Sequence, residues 1–332
     1  MIARGFAAST LIILLALFPG GLAHSTERLA AEDINRAGFD GQVSEERNPF
    51  AMRLQVMLDR AHFSPGVIDG FSGGNTDKAL MAFAREKGLG EGAPAEGVLT
   101  EELWSYLTQG DPEPAFTTYA ITEEDLAEPF AESIPEDYAQ LAEMERLSYT
   151  GPDEMLAERF HMDIGLLHAL NPDADFGRAG AEILVAHVAD RRAAGKVVRI
   201  VVSRGEASVR ALDEGDNLVA FYTATVGSEQ TPSPTGTHEV KAVVLMPNYT
   251  YRPDVNFQQG DLDRNLILPP GPNNPVGSVW IDLSEPTYGI HGTPEPSKID
   301  KTYSHGCVRL TNWDAEELAE LVEIGTIVEF VD

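Results

Sequence analysis

At Val197 the hydrophobic period of this 332-residue chain changes. Upstream, apolar residues recur at the spacing of one helix face. Downstream they come in short runs such as Val197-Val198-Arg199-Ile200-Val201-Val202, Leu218-Val219-Ala220-Phe221-Tyr222 and Thr223-Ala224-Thr225-Val226, the mark of strands. Pro232, Pro234, Pro269, Pro270, Pro272 and Pro275 punctuate the loops between them. One main helix is expected, starting after the cap candidate Asn312, carrying Leu318, Leu321 and Val322, and stopping at Gly325 before a last strand at 326–331. The chain therefore reads as multi-domain: a mostly-β C-terminal domain at 197–332 behind smaller, helical units.

The first residues pair one positive charge, Arg4, with an apolar run at 6–18 and small residues ending in Gly21-Leu22-Ala23. That three-part pattern predicts a signal peptide over 1–23. The apolar run is shorter than the ~20 residues that span a bilayer. The mature protein is expected to be exported, periplasmic and cell-wall associated, with no membrane contact after cleavage.

Between 48 and 108 the spacing predicts three helices. Phe50, Leu54, Met57, Leu58 and Ala61 mark the first; Ala79, Leu80 and Phe83 the second, after cap candidates Asn75 and Thr76; Leu103, Trp104 and Leu107 the third. Two related turns, Gly66-Val67-Ile68-Asp69-Gly70 and Glu96-Gly97-Val98-Leu99-Thr100, each lead to a threonine and a helix. With Leu54-Gln55 ahead of Ile68-Asp69-Gly70 and Thr76, this stretch resembles the small all-α, three-helix peptidoglycan-binding domain.

Residues 109–146 look like a linker. From 111 to 146 there are eleven acids and a single base, Arg146, among Pro112, Pro114, Pro129 and Pro135, which predicts an extended, solvated connector. Residues 147–188 then carry Met155, Leu156, Arg159 and Phe160 on one expected helix, Leu166, Leu167 and Leu170 on a second, and a strand at Ile183-Leu184-Val185-Ala186. The segment resembles a degenerate LysM module, and two readings stay open: a grip on glycan strands, or a spacer packed on the next domain.

Charge narrows the partners. Fifty-three acids against 24 bases give a net charge of −29, a field that repels nucleic acid and anionic lipid headgroups. The single cysteine, Cys307, permits no intrachain disulfide and no all-thiolate metal site, so its value is that of a free thiol.

Cys307 sits in Ser304-His305-Gly306-Cys307-Val308-Arg309-Leu310, shortly after Gly289-Ile290-His291-Gly292-Thr293. An imidazole can take the thiol proton and produce the thiolate, the species that attacks carbon. Gly292 and Gly306 leave room for a carbonyl to approach backbone N–H groups that meet a developing oxyanion. If 307–310 is extended, Cys307 and Arg309 share a face while Val308 and Leu310 enter the core. An arginine beside a nucleophile suits a substrate bearing carboxylates. A zinc site from His291, His305 and Cys307 would lack an evident fourth ligand, so neither metal nor cofactor is expected.

These residues bring a resemblance to the L,D-transpeptidase (YkuD) catalytic domain. The signature histidine followed by Ser/Thr-His-Gly-Cys is met by His291 and Ser304-His305-Gly306-Cys307. Pro232-Ser233-Pro234-Thr235-Gly236, Gly271-Pro272-Asn273-Asn274-Pro275-Val276-Gly277, Tyr288-Gly289 and Gly325-Thr326 support it in order. The resemblance implies a β-sandwich-like fold, with Cys307 as nucleophile and His291 as proton donor and acceptor, oriented by the backbone carbonyl of Gly292. Ser304, His305, Gly306 and Arg309 would serve the oxyanion and the substrate. The implied partner is peptidoglycan: a tetrapeptide stem as acyl donor, attacked at its third, diamino acid residue with release of the terminal D-alanine, and an amine as acceptor, giving 3-3 cross-links or an attached amine. An L,D-carboxypeptidase with the same nucleophile and a non-catalytic wall-binding scaffold remain as competing functions.

Overall fold

The computed structural model describes residues 29–39, 46–89, 99–188, 193, 195–227, 231–302, 304 and 306–332. The expected signal peptide at 1–23 and most of the second repeat turn lie outside the described residues. Among the described residues no helix is long and apolar enough to cross a membrane.

The first elements are α1 (Ala31–Arg36), α2 (Pro49–Arg60), β1 (Phe63–Ser64), α3 (Gly74–Glu86) and α4 (Glu101–Gly110). Asn48 caps α2 by accepting from the Ala51 amide, with Pro49 in the first turn, and Thr100 caps α4 through the Leu103 amide. Asn75 and Thr76, expected as caps, instead lie inside the first turn of α3, behind Gly73. Their side chains are spent elsewhere. Thr76 is buried and its hydroxyl accepts from Gln55 Nε2, while Gln55 also meets Asp69 Oδ1 at 2.8 Å and the Gly70 amide at 2.8 Å. Leu54, Leu58, Leu80, Phe83, Leu103 and Leu107 close an apolar core around this amide knot.

The acidic stretch is not an extended connector. It holds β2 (Phe116–Ala120), α5 (Glu123–Leu126) and α6 (Tyr138–Leu141), followed by α7 (Pro152–Arg159), α8 (Ile164–Leu170) and β3 (Glu182–Ala186). β2 pairs antiparallel with β3, from Phe116 opposite Ala186 to Ala120 opposite Glu182. Phe116, Ile121, Leu141 and Leu147 are buried, and two of the acids are neutralised: Asp111 by Arg60 at 2.5 Å and Asp125 by Arg159 at 2.5 Å. A few well-placed apolar side chains outweigh like-charge repulsion, because the remaining acids point into water. The partner of the strand at 182–186 thus lies inside 109–146, ahead of the boundary expected at 147.

The remaining elements are β4 (Arg199–Ser203), β5 (Ser208–Leu212), β6 (Leu218–Thr223), β7 (Thr225–Val226), β8 (Gly236–Leu245), β9 (Tyr249–Tyr251), β10 (Leu266–Leu268), β11 (Val279–Leu283), β12 (Gly289–His291), β13 (Val308–Arg309), α9 (Asn312–Leu321) and β14 (Ile327–Val331). A ten-stranded mixed sheet runs β1-β6-β5-β4-β14-β8-β11-β12-β13-β7. β8 is shared: Gly236 to Glu239 pair with β14, and Val240 to Leu245 pair with β11. Val202, Tyr222, Val240, Ile281, Ile290, Val308 and Leu318 place the core between both halves and α9. The cap of α9 is Thr311, not Asn312: its hydroxyl accepts from the Asp314 amide, which frees the Asn312 side chain for other partners.

The helical units are built onto this sheet. β1 adds a parallel edge strand beside β6, Phe63 opposite Phe221, which covers an edge that would otherwise present open backbone groups. At the same junction His161 stacks on Trp313 at 5.0 Å, Ser64 donates to Asp314 at 2.9 Å, and His62 meets Glu317 at 2.8 Å.

Candidate active site

β12 and β13 run parallel, with Ile290 opposite Val308 and His291 opposite Arg309. This pairing joins two motifs separated by a long loop. Val308 and Leu310 are fully buried in the core, whereas Cys307 and Arg309 line a cavity of about 220 Å³ with His291, Ser304, Trp280 and Tyr288. Side-chain alternation over a two-residue strand is enough to separate core from cavity.

The His291 ring is buried, and its Nδ1 lies 2.7 Å from the carbonyl oxygen of Gly292. A carbonyl only accepts, so Nδ1 carries the proton and Nε2 holds the lone pair. Burial pushes the imidazole down to about 3; the Arg309 charge adds to this and the Gly292 carbonyl opposes it. The ring stacks on Trp280 at 5.5 Å. Trp280 in turn lies so close over Gly289 that a Cβ there would meet the indole at 2.6 Å.

Burial raises the Cys307 thiol above its ordinary value, against opposing contributions from the Gly289 backbone and Arg309. The thiol is half-buried, with Sγ 3.8 Å from the Thr287 carbonyl oxygen. The resting pair is therefore a neutral imidazole and a protonated thiol.

The turn ahead of Cys307 is held from several sides. Ser304 Oγ donates to the Cys307 carbonyl and accepts from the Gly306 amide at 3.2 Å; Ser233 donates to the Gly306 carbonyl at 2.7 Å and Thr231 to that of Ser304 at 2.9 Å. Gly306 has φ +106°, and a Cβ would lie 2.6 Å from the Tyr288 ring, so only glycine fits. The Gly306 amide and the Ser304 hydroxyl, expected to face an oxyanion, are thus engaged with each other and shape the turn. His305 lies outside the described residues.

Asn312 is a neighbour of the candidate site that sequence reasoning read only as a cap. Its Oδ1 accepts from the Ser278 amide at 3.1 Å and would touch a Cβ on Gly277 or Gly292, so both glycines are packed against this amide. Its Nδ2 donates to Glu158 on α7 and to the Pro272 carbonyl. Glu158 is half-buried, and desolvation of its carboxyl raises it to about 8. Tyr138, from the acidic segment, also reaches the cavity wall. Neither Glu158 nor Tyr138 carries a local sequence mark of such a role.

Residues 197–330 match the family model of the L,D-transpeptidase catalytic domain, YkuD. YkuD of Bacillus licheniformis is 34% identical over 177 residues, spanning 53% of this chain and 90% of that protein. YkuD of Bacillus subtilis is 30% identical over 174 residues, 52% of this chain and 89% of that protein. YbiS of Escherichia coli K12 is 29% identical over 189 residues, 55% of this chain and 61% of that protein. With the catalytic-domain model matched at 197–330 and the two Bacillus relatives covered over almost their full length, the chain belongs to the YkuD family of L,D-transpeptidases, whose substrates are cell-wall peptidoglycan.

Proposed function

We propose that this protein is an L,D-transpeptidase that acts on peptidoglycan stem peptides through an acyl-enzyme on Cys307. The observation that carries the reading is the fixed tautomer of His291, held by Gly292 at 2.7 Å in the same cavity as the thiol. The Cys307 thiol gives its proton to His291 Nε2 as sulfur bonds to the carbonyl carbon of the donor's third residue. The amide bond to the terminal D-alanine then breaks, and the imidazolium returns the proton to the departing amine. An acceptor amine next attacks the thioester, forms the new amide and releases the thiol. Arg309, at the cavity wall, matches the carboxylates of such a stem. An exported protein with a peptidoglycan-binding-like unit at 48–108 and a LysM-like unit would bring this site to the wall.

Incubating the protein with a disaccharide-tetrapeptide and following products by mass spectrometry tests the reading. The expected result is free D-alanine and cross-linked dimer, both lost in Cys307→Ala. Tripeptide monomer without dimer would assign an L,D-carboxypeptidase instead. A Cys307→Ala variant that keeps full cellular effect would leave only a wall-binding scaffold.

A further inference from the structure

Among the described residues, the side chains lining the Cys307 cavity come from 249–309 except for Tyr138 of α6. Its position is fixed from two directions. The backbone leading into it is clasped by Gln259: the Tyr138 amide donates to Gln259 Oε1 at 2.8 Å, and Gln259 Nε2 donates to the Glu136 carbonyl at 2.8 Å. The Tyr138 ring packs edge-on against Tyr249 at 6.2 Å, Tyr251 at 5.1 Å and Phe257 at 5.7 Å. Edge-to-face contacts with three aromatics set the ring's plane as well as its place.

The segment that carries Tyr138 is equally anchored. Leu141 and Leu147 share a core with Tyr251, Leu266 and Leu268 of the β9–β10 hairpin. The Leu147 amide donates to the Pro270 carbonyl at 2.9 Å, and the Asn273 amide donates to the Leu147 carbonyl at 3.0 Å. Gly271 lies so close to Leu147 that a Cβ would meet its carbonyl oxygen at 2.1 Å. The stretch from Ile134 to Leu147 is thus a fixed back wall for the hairpin that forms one side of the cavity.

On the reading above, whose donor must lay its stem along this cavity to present a carbonyl to Cys307, we propose that Tyr138 is a donor-binding residue, its ring forming the wall against which the aliphatic, carboxylate-bearing stem packs. The inference rests on that reading for the identity of the donor. Burial raises the Tyr138 phenol to about 12, so the wall is uncharged at any working pH. It therefore adds apolar contact beside Arg309 without repelling the carboxylates Arg309 suits.

The test compares Tyr138→Ala and Tyr138→Phe in the full-length protein, by D-alanine release from the tetrapeptide donor and by the rate at which iodoacetamide alkylates Cys307, read by intact mass. Loss of the ring should raise the donor KM about tenfold with kcat changed less than about threefold, and should speed alkylation several-fold by opening the cavity. Tyr138→Phe should restore both to within about twofold of wild type. An Ala variant with unchanged KM and alkylation rate overturns the proposal, as does a fall in kcat alone or a KM rise that Phe does not rescue. If Tyr138→Ala does not fold, Tyr138→Leu replaces it, with a KM between those of wild type and the tenfold increase. A wild type that releases no D-alanine would sink the functional reading instead, and the alkylation ratio would still decide whether Tyr138 walls the cavity.

Discussion

The side-chain nitrogen of Asn312 lies 3.0 and 3.1 Å from the two carboxylate oxygens of Glu158. The first turn of α9 is thereby bonded to a helix that precedes the catalytic domain in the chain. Through its Oδ1 the same amide holds Ser278 and fills the space beside Gly292, whose carbonyl orients His291. Asn312→Ala would strand several buried polar groups and leave a gap under Gly292. Denaturant unfolding should show a loss of about 3 kcal/mol. Turnover should fall about tenfold as the imidazole loses its alignment. Unchanged turnover in a folded variant would show that Gly292 holds its place without this amide.

Glu158 and Asp314 are both raised to about 8 by burial, from ordinary values of 4.5 and 3.8. Between those limits the folded protein binds more protons than the unfolded chain, so stability falls as pH rises. His291 acts in the opposite sense: lowered from 6.5 to about 3, it costs stability as pH falls through that window. Melting temperature should therefore decline from about pH 6.5 to 8. Glu158→Gln and Asp314→Asn should each flatten that decline, and a slope untouched by both would place its origin elsewhere.

Because the thiol is raised and the imidazole lowered, Cys307 is uncharged at rest. Alkylation of the wild-type thiol should be slow at neutral pH and climb only above its ordinary value of 9.0. On the proposed mechanism donor turnover requires neutral His291, and it should show no acid limb from that residue down to about pH 4. A thiolate titrating between pH 5 and 7 would contradict the resting state described above.

Trp280 lies 5.5 Å from the His291 ring and covers Gly289. Gly289→Ala should swing the indole away, because a rigid ring cannot yield at 2.6 Å. The expected result is a drop in kcat of about tenfold. Placing the same substitution in a Trp280→Ala background should cost little further. Equal losses in both backgrounds would refute the contact as the cause.

The parts of the candidate site were legible locally. His291 and Cys307 stand in short glycine-bearing motifs, and the alternation across 307–310 separates a cavity face from a core face without any knowledge of the sheet. The change of period at Val197 likewise marks where strands replace helices, because periodicity is a property of neighbours in sequence. The tertiary structure alone decided the rest. Pairing of β2 with β3 turns an acidic, proline-rich stretch into part of a folded unit, since the energy comes from Phe116 and Ile121 meeting side chains far along the chain. Glu158 reaches Asn312 across 154 positions and Gln259 reaches Tyr138 across 121. Contacts at such separations leave no periodic trace in the residues that make them, so an unremarkable tyrosine among acids comes to line the Cys307 cavity only when the chain has folded.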